Sequence, residues 1–287
     1  MIIEEIQLHH WVRSNEREAQ GIIPELVGRL VAASVRKPND IRFPRADSIG
    51  QSGEDGYLDT DTGFRPFVPD GKSYWEIGTG ANPAAKANSD YDNRTGATPE
   101  ALRQEAVLVI VTPSSAVHAW TSEAQKNWKT EKLDRKNWRD VRVVDGTRLI
   151  EWLSSFPAVE RWLAIKMRYP ADAIEIPEER WIELSRIGSP PALTPSLFTA
   201  NRTQACAKLD EVFRGTSGLL KIDTHFPRHM ADLVAAHLAH MDEAIRNEIA
   251  GRCLIITRPD AWSTLTSLRD HHVFIADFDI DDTDTAG

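Results

Sequence analysis

The sequence predicts an α/β protein: a mixed-sheet core, then a smaller α/β domain with a short parallel sheet. Three observations carry this reading. Ala106–Val111 (AVLVIV) is a short, unbroken apolar run of the kind that forms a fully buried central strand. Shorter strand-like runs at Ser73–Ile77 and Asp140–Val144 lie on either side of it, separated by helix-period segments. A proline-rich stretch from Pro170 to Thr199 then divides this alternation from a second one. The 287 residues suffice for one large or two modest domains, and 41% hydrophobic with 27% charged residues fits a soluble globular chain.

Taken in order, Asn15 to Val35 carries Ile22, Leu26, Val27, Leu30 and Val31 at helical spacing. Pro24 is tolerated only near a first turn, so a restart of the helix is expected there. Lys37 to Gly53, with Pro38 and Pro44, reads as loop. Tyr57-Leu58 before Asp-Thr-Asp-Thr-Gly reads as a short strand and a turn. In Ser73–Ile77 neighbouring side chains point to opposite faces, so Glu76 is expected to face away from Trp75 and Ile77. Pro83 opens a helix through Arg94, and Ala119 to Arg135 is helix or loop. Asp140–Val144 is a strand, Thr147–Phe156 a helix capped by Thr147, and Pro157–Ile165 a further helix. The order is αβββαβαβα.

The expected domains are 1–168, a linker over 169–200, and 201–287. In the last, helices at Arg202–Phe213, Pro227–Arg246 and Ala261–Leu268 alternate with strands at Gly218–Asp223, Arg252–Thr257 and His272–Ala276. That alternation implies a parallel sheet. The acidic ending DFDIDDTDTAG is expected to fray.

A formal charge of −9 argues against a protein that coats nucleic acid non-specifically, while leaving room for a nuclease whose groove is locally basic. Cys206 and Cys253 are far apart in apolar contexts, which disfavours a disulfide or zinc framework and points to a reducing compartment. The first residues show neither a basic n-region nor an apolar h-region, and no run approaches the roughly 18–20 apolar residues of a membrane span. A cytoplasmic location without membrane contact is the expectation.

The chemistry concentrates in Gly53 to Thr95. Asp55 stands between Gly53 and Gly56, Glu76 lies in an apolar strand about twenty residues later, and Lys86 follows a Gly/Asn/Pro turn. Mg²⁺ is a hard cation that takes oxygen ligands, which Asp55 and Glu76 would supply. A lysine can orient water or stabilise the phosphate in the transition state. Acidic pairs at such a spacing are common, but two details sharpen this one. The glycines let backbone approach a ligand closely, and an unpaired carboxylate on an apolar strand would cost several kcal/mol if buried, so something must compensate it.

The words GxDG, FVPxGxSxWEIGT and KANxDYxxRT together resemble a nuclease module of the PD-(D/E)xK restriction-endonuclease-like superfamily, found at the N-terminus of bacterial STAND-type NTPases of antiphage defence. The resemblance covers about Pro24 to Ala164. It implies a restriction-endonuclease-like core and a metal-dependent endonuclease that cleaves DNA. Mg²⁺ would be the cofactor and Mn²⁺ a substitute, with a homo-oligomer or a partner NTPase or regulatory component as the assembly. By the same resemblance Asp55 and Glu76 are the metal ligands and, with Lys86, the catalytic set. Gly78 stands where the family's Glu-x-Lys lysine would be, so Lys86 on the next helix takes that part.

Glu25, Tyr91 and Arg94 are additional candidates near the metal or phosphate. Glu25 reads equally as a solvated helix-start carboxylate and Arg94 as a surface cation. Lys126, Lys129 and Lys132 recur every three residues with Trp128 and Trp138 interleaved, which reads as a DNA-contacting edge or as a solvated face over packed tryptophans. The histidines form no metal-binding motif. No GxxxxGK[ST] occurs, so no ATP site is identified. The missing lysine and the acidic balance also fit a non-catalytic regulatory or binding module on the same scaffold.

Overall fold

The computed structural model describes residues 3–43, 54–114, 120–169, 173–187, 191–215, 220, 222, 228–266 and 272–278. The chain divides into two compact units, Ile2–Ser155 and Phe156–Gly287 with Met1. The first is a mixed α/β layer structure and the second a smaller one.

The first unit begins with α1 (Glu5–Ser14) and α2 (Glu16–Ser34). Helix α2 runs unbroken through Pro24, in place of the expected restart, and buries Ile23, Leu26, Val27, Leu30 and Val31. Three strands follow: β1 (Pro38–Arg42), β2 (Gly56–Thr60) and β3 (Gly71–Ile77). Then come α3 (Pro83–Ala97), α4 (Glu100–Glu105), β4 (Ala106–Val111), α5 (Ser122–Asp134), β5 (Asp140–Val144) and α6 (Gly146–Leu153). The strands form a five-stranded sheet in the order β1-β2-β3-β4-β5. β1, β2 and β3 pair antiparallel, whereas β3–β4 and β4–β5 are parallel. β4 is central and buried throughout, as its apolar run requires.

Strand β1 lies in the stretch read as loop. Its residues are mostly exposed, as suits a polar edge strand. The cap of α6 is Asp145, whose side chain accepts from Arg148 N, in place of the expected Thr147. Asp145 also accepts from Gln125 Nε2 at 2.9 Å, which ties α6 to α5.

The two faces of the sheet are covered differently. On one, Trp75 stacks on Trp152 of α6, Phe67 stacks on the same ring, and Trp152 Nε1 donates to Ser34 Oγ of α2. On the other, Ala87 and Tyr91 of α3 and Trp128 of α5 pack with Leu108, Ile110, Val141 and Val143. Tyr74 packs with this second cluster. By strand alternation Glu76 shares that face, opposite Trp75 and Ile77 as expected. A carboxylate on β3 is thereby presented to helix α3.

Phe43 wedges between α2 and β2. A Cβ on Gly28 would lie 2.8 Å from Phe43 Cβ, and one on Gly56 would lie 2.2 Å from its Cε1. Gly56 therefore makes room for this ring; Gly53 lies outside the described residues. The ring meets Trp75 edge-on at 5.8 Å, so it has core on its far side. Gly56→Ala is expected to destabilise the first unit by about 1–3 kcal/mol, the usual range for overpacking. A lowered urea midpoint with an unchanged slope would show it.

The second unit contains α7 (Pro157–Lys166), β6 (Ile174–Glu175), α8 (Pro177–Ser185), α9 (Ser196–Thr199), α10 (Thr203–Phe213), α11 (Arg228–His240), α12 (Glu243–Gly251), β7 (Cys253–Ile256), α13 (Pro259–Thr266) and β8 (Val273–Ala276). The division falls before α7, earlier than residue 168, because α7 packs on α12 and β7. The stretch expected as linker holds β6 and α8. Strand β6 joins the sheet, α8 packs on α11, and Arg180 of α8 reaches Asp232 of α11 at 2.7 Å.

The sheet order is β6-β7-β8, antiparallel then parallel, so it is mixed where a parallel one was expected. The expected long helix from Pro227 to Arg246 is two helices, α11 and α12. The strand expected at Gly218–Asp223 and the acidic ending lie outside the described residues, apart from Leu220 and Ile222 within the former and Asp277 and Phe278 at the start of the latter. Among the described residues no helix is long and apolar enough to cross a membrane.

Candidate active site

Asp55 directly precedes β2. The antiparallel register pairs Gly56 with Trp75, and one further step sets Asp55 opposite Glu76. The Asp55 carboxylate accepts from Ile77 N through Oδ2 at 2.7 Å, which holds it at the end of β3. Glu76 is 8% exposed. Its Oε1 accepts from Arg94 Nε, and Arg94 Nη1 lies 3.7 Å from Glu54 Oε2. Burial pushes the Glu76 carboxyl up to about 7; Arg94 pulls it down, while Asp55 and Asp90 push it up further. Desolvation thus outweighs the ion pair.

The third predicted residue is also here. Lys86, near the start of α3, bonds through Nζ to Asp90 Oδ1 one turn on. Asp90 is 4% exposed, and burial raises its carboxyl despite Lys86. Lys86, Asp90 and Arg94 are spaced four apart and form one stripe of α3. The position of Gly78 explains how a helix lysine reaches the strand. A Cβ on Gly78 would lie 2.5 Å from Lys86 Cγ and 3.4 Å from Asp90 Oδ2. The lysine stem therefore fills the space that a side chain at 78 would take.

The additional candidates separate. Arg94 joins the site, as a partner of Glu76. Tyr91 does not: it is buried, donates to Lys132 O at 3.3 Å, accepts from Asn137 Nδ2 at 3.2 Å, and meets Trp128 edge-on. It faces α5 and belongs to the core. Glu25 pairs with Arg29 on its own helix at 3.1 Å.

The lysine row is not a continuous edge. Lys126 is exposed, Lys129 lies 3.4 Å from Asp140, and Lys132 is 2% exposed with Nζ over the rings of Tyr91 and Trp128. Six residues on a helix turn through 600°, which rotates Lys132 away from Lys126 and into the core. Trp128 and Trp138 are packed, with indole N–H groups donating to Asn88 and Thr95. His237 bonds Asp210 at 2.8 Å and stacks on Phe213, a packed role.

Sequence reasoning missed Asp90 and Glu54. The i,i+4 spacing of Asp90 from Lys86 was the available signal. Four carboxylates (Glu54, Asp55, Glu76, Asp90) meet three cations (Arg42 on Glu54, Lys86 on Asp90, Arg94 on Glu76 and Glu54), and Asp90 Oδ2 is buried with no hydrogen-bond partner. Among the described residues no group of three or more His, Cys, Asp or Glu is arranged to hold a metal ion. Comparison of the chain with family models, with curated proteins and with solved structures gives no match.

Proposed function

We propose that the first unit is a divalent-cation-dependent phosphodiester hydrolase with a restriction-endonuclease-like core, cleaving DNA. The observation that carries the reading is the convergence of Asp55, Glu76 and Lys86 at the end of β3, with the Lys86 stem over Gly78. Carboxylate oxygens side by side at a strand end suit a hard cation, for which Mg²⁺ or Mn²⁺ has the right ligand preference. Asp55 and Glu76 would hold it. When bound, such a cation supplies an activated water and neutralises charge on the phosphate.

The chain's own residues have definite parts. Asp55 is oriented by the Ile77 amide, and Glu76 by Arg94. Asp90 holds the Lys86 ammonium, which stays partly exposed and is free to donate to a phosphate oxygen. Arg94 is committed to Glu76 and Glu54 and acts as a positioning residue. The resemblance to defence nucleases extends the proposal to an antiphage effector role, with the second unit or a partner protein as regulator.

The test is cleavage of plasmid DNA by the full chain with Mg²⁺ or Mn²⁺. Wild type is expected to cut, Asp55→Asn to lose at least about a hundredfold, and Tyr91→Phe to keep activity. An intact plasmid with folded wild type would refute the proposal. A second reading is favoured by the pairing of Glu76 with Arg94 and of Asp90 with Lys86. Cations from the protein already sit on these carboxylates, as they would in a non-catalytic regulatory module on the same scaffold.

A further inference from the structure

Arg94 and Arg42 each stand between two carboxylates. Arg94 Nε donates to Glu76 Oε1, while its Nη1 lies 3.7 Å from Glu54 Oε2. Arg42 Nη1 lies 3.4 Å from the other Glu54 oxygen, and its Nε 3.3 Å from Asp40 Oδ2. The result is a row of alternating charge, Glu76–Arg94–Glu54–Arg42–Asp40, running from α3 to the edge strand β1. The register keeps it on one face of the sheet: Arg42 pairs with Tyr57 and Tyr57 with Tyr74, two residues before Glu76. Side-chain exposure rises along it, from 11% at Glu76 and Arg94 through 25% at Glu54 to 57% at Arg42.

With three carboxylates and two guanidiniums, the row carries one negative charge in excess. Shifting each guanidinium by one partner moves that excess from the exposed end to Glu76. The motion is small. Arg94 Nη1 needs to travel about 1 Å to reach the separation of a charge-assisted bond with Glu54. Arg42 lies over the Tyr57 ring, 4.3 Å from its centroid, and can pass from Glu54 to Asp40 without leaving that platform. A buried guanidinium parts from its carboxylate readily only where a second counter-ion stands ready, and Glu54 is that counter-ion.

We propose that Glu54 is a positioning residue that acts through Arg94: it receives the Arg94 guanidinium when Glu76 turns to a divalent cation. The proposal rests on the hydrolase reading above. Asp55 and Glu76 stand opposite each other in the β2–β3 register, and two carboxylates suffice for Mg²⁺, which keeps water and phosphate oxygens as its other ligands. The pairing of Glu76 with Arg94 is then one of two arrangements of the same charges, and Glu54 makes the other accessible.

Calorimetric titration of the full chain with Mn²⁺ alone tests this without reference to cleavage, with circular dichroism verifying the fold of each variant. Wild type is expected to bind Mn²⁺ and Asp55→Asn to lose it. Glu54→Gln should bind at least about tenfold more weakly, because Arg94 then has no second seat and holds Glu76. In an Arg94→Gln background, Glu54→Gln should change the affinity by no more than about twofold, since no guanidinium remains to be seated. Arg94→Met, which keeps an apolar stem, is the alternative background if Arg94→Gln does not fold. Glu54→Gln within about twofold of wild type overturns the role of Glu54 and leaves the hydrolase reading standing. An equal loss in both backgrounds also overturns it, because Glu54 would then act on the cation directly and not through Arg94. Absence of Mn²⁺ binding by folded wild type overturns both.

Discussion

Lys86→Ala is expected to lower DNA cleavage by about a hundredfold or more, the scale of losing one charge-stabilising donor, and Gly78→Lys in that background to return part of it. The geometry sets both expectations. A Cβ at position 78 would collide with the Lys86 stem at Cγ, 2.5 Å away, so Gly78→Lys alone should be poorly tolerated. Removing the stem empties that space. The backbone at 78 is outside the left-handed region, so a side chain there carries no conformational penalty of its own. A lysine at 78 then rises from just beyond the end of β3, two residues along from Glu76. Recovery by roughly tenfold over Lys86→Ala in a plasmid assay is the expected result. A double variant no better than Lys86→Ala, with its fold intact, would show that the ammonium is not what this position contributes.

The second large effect is on stability against pH. Glu76 is raised by burial from its ordinary 4.5 to about 7. The folded chain therefore holds a proton that the unfolded chain has released across that interval. The stabilising contribution of this group is complete below about 4.5 and is lost as pH rises through about 7. The difference corresponds to about 3 kcal/mol. Asp90, raised by the same cause, acts in the same direction. Urea unfolding in EDTA at about pH 5 and about pH 8 should show wild type losing stability with rising pH. Glu76→Gln has no proton to lose and should lose less, so the gap between the two should widen toward alkaline pH by up to the same amount. Parallel pH profiles for the two proteins would place the Glu76 carboxyl near its ordinary value.

Much of the fold was legible because its strands announce themselves. AVLVIV is buried on both faces, and in SYWEI the alternation separates Trp75 from Glu76. Strand β1 was not legible, because PNDIR is a polar edge with few side chains to bury. Helix α8 was hidden among prolines, although Pro177 opens its first turn, where a missing N–H costs nothing. Asp55, Glu76, Lys86 and Arg94 could be named from the sequence, and they meet. Asp90 was missed although its i,i+4 spacing from Lys86 was visible, because a mostly polar helix does not by its composition say which polar stripe turns inward to the sheet. The lysine row misled for the opposite reason: regular spacing looked like one surface, yet Lys132 is in the core.

The wedge of Phe43 bears on how this protein can diverge. Gly28 on α2 and Gly56 on β2 are tolerable places for larger residues only where the ring is absent, because each Cβ would occupy its volume. Positions 28, 43 and 56 should therefore change together in relatives: an aromatic at 43 with glycine at both others, or a smaller residue at 43 with side chains restored. Since Gly56 adjoins Asp55, that exchange is a route by which drift in the core reaches the neighbour of a metal-ligand candidate while the carboxylate itself stays in place.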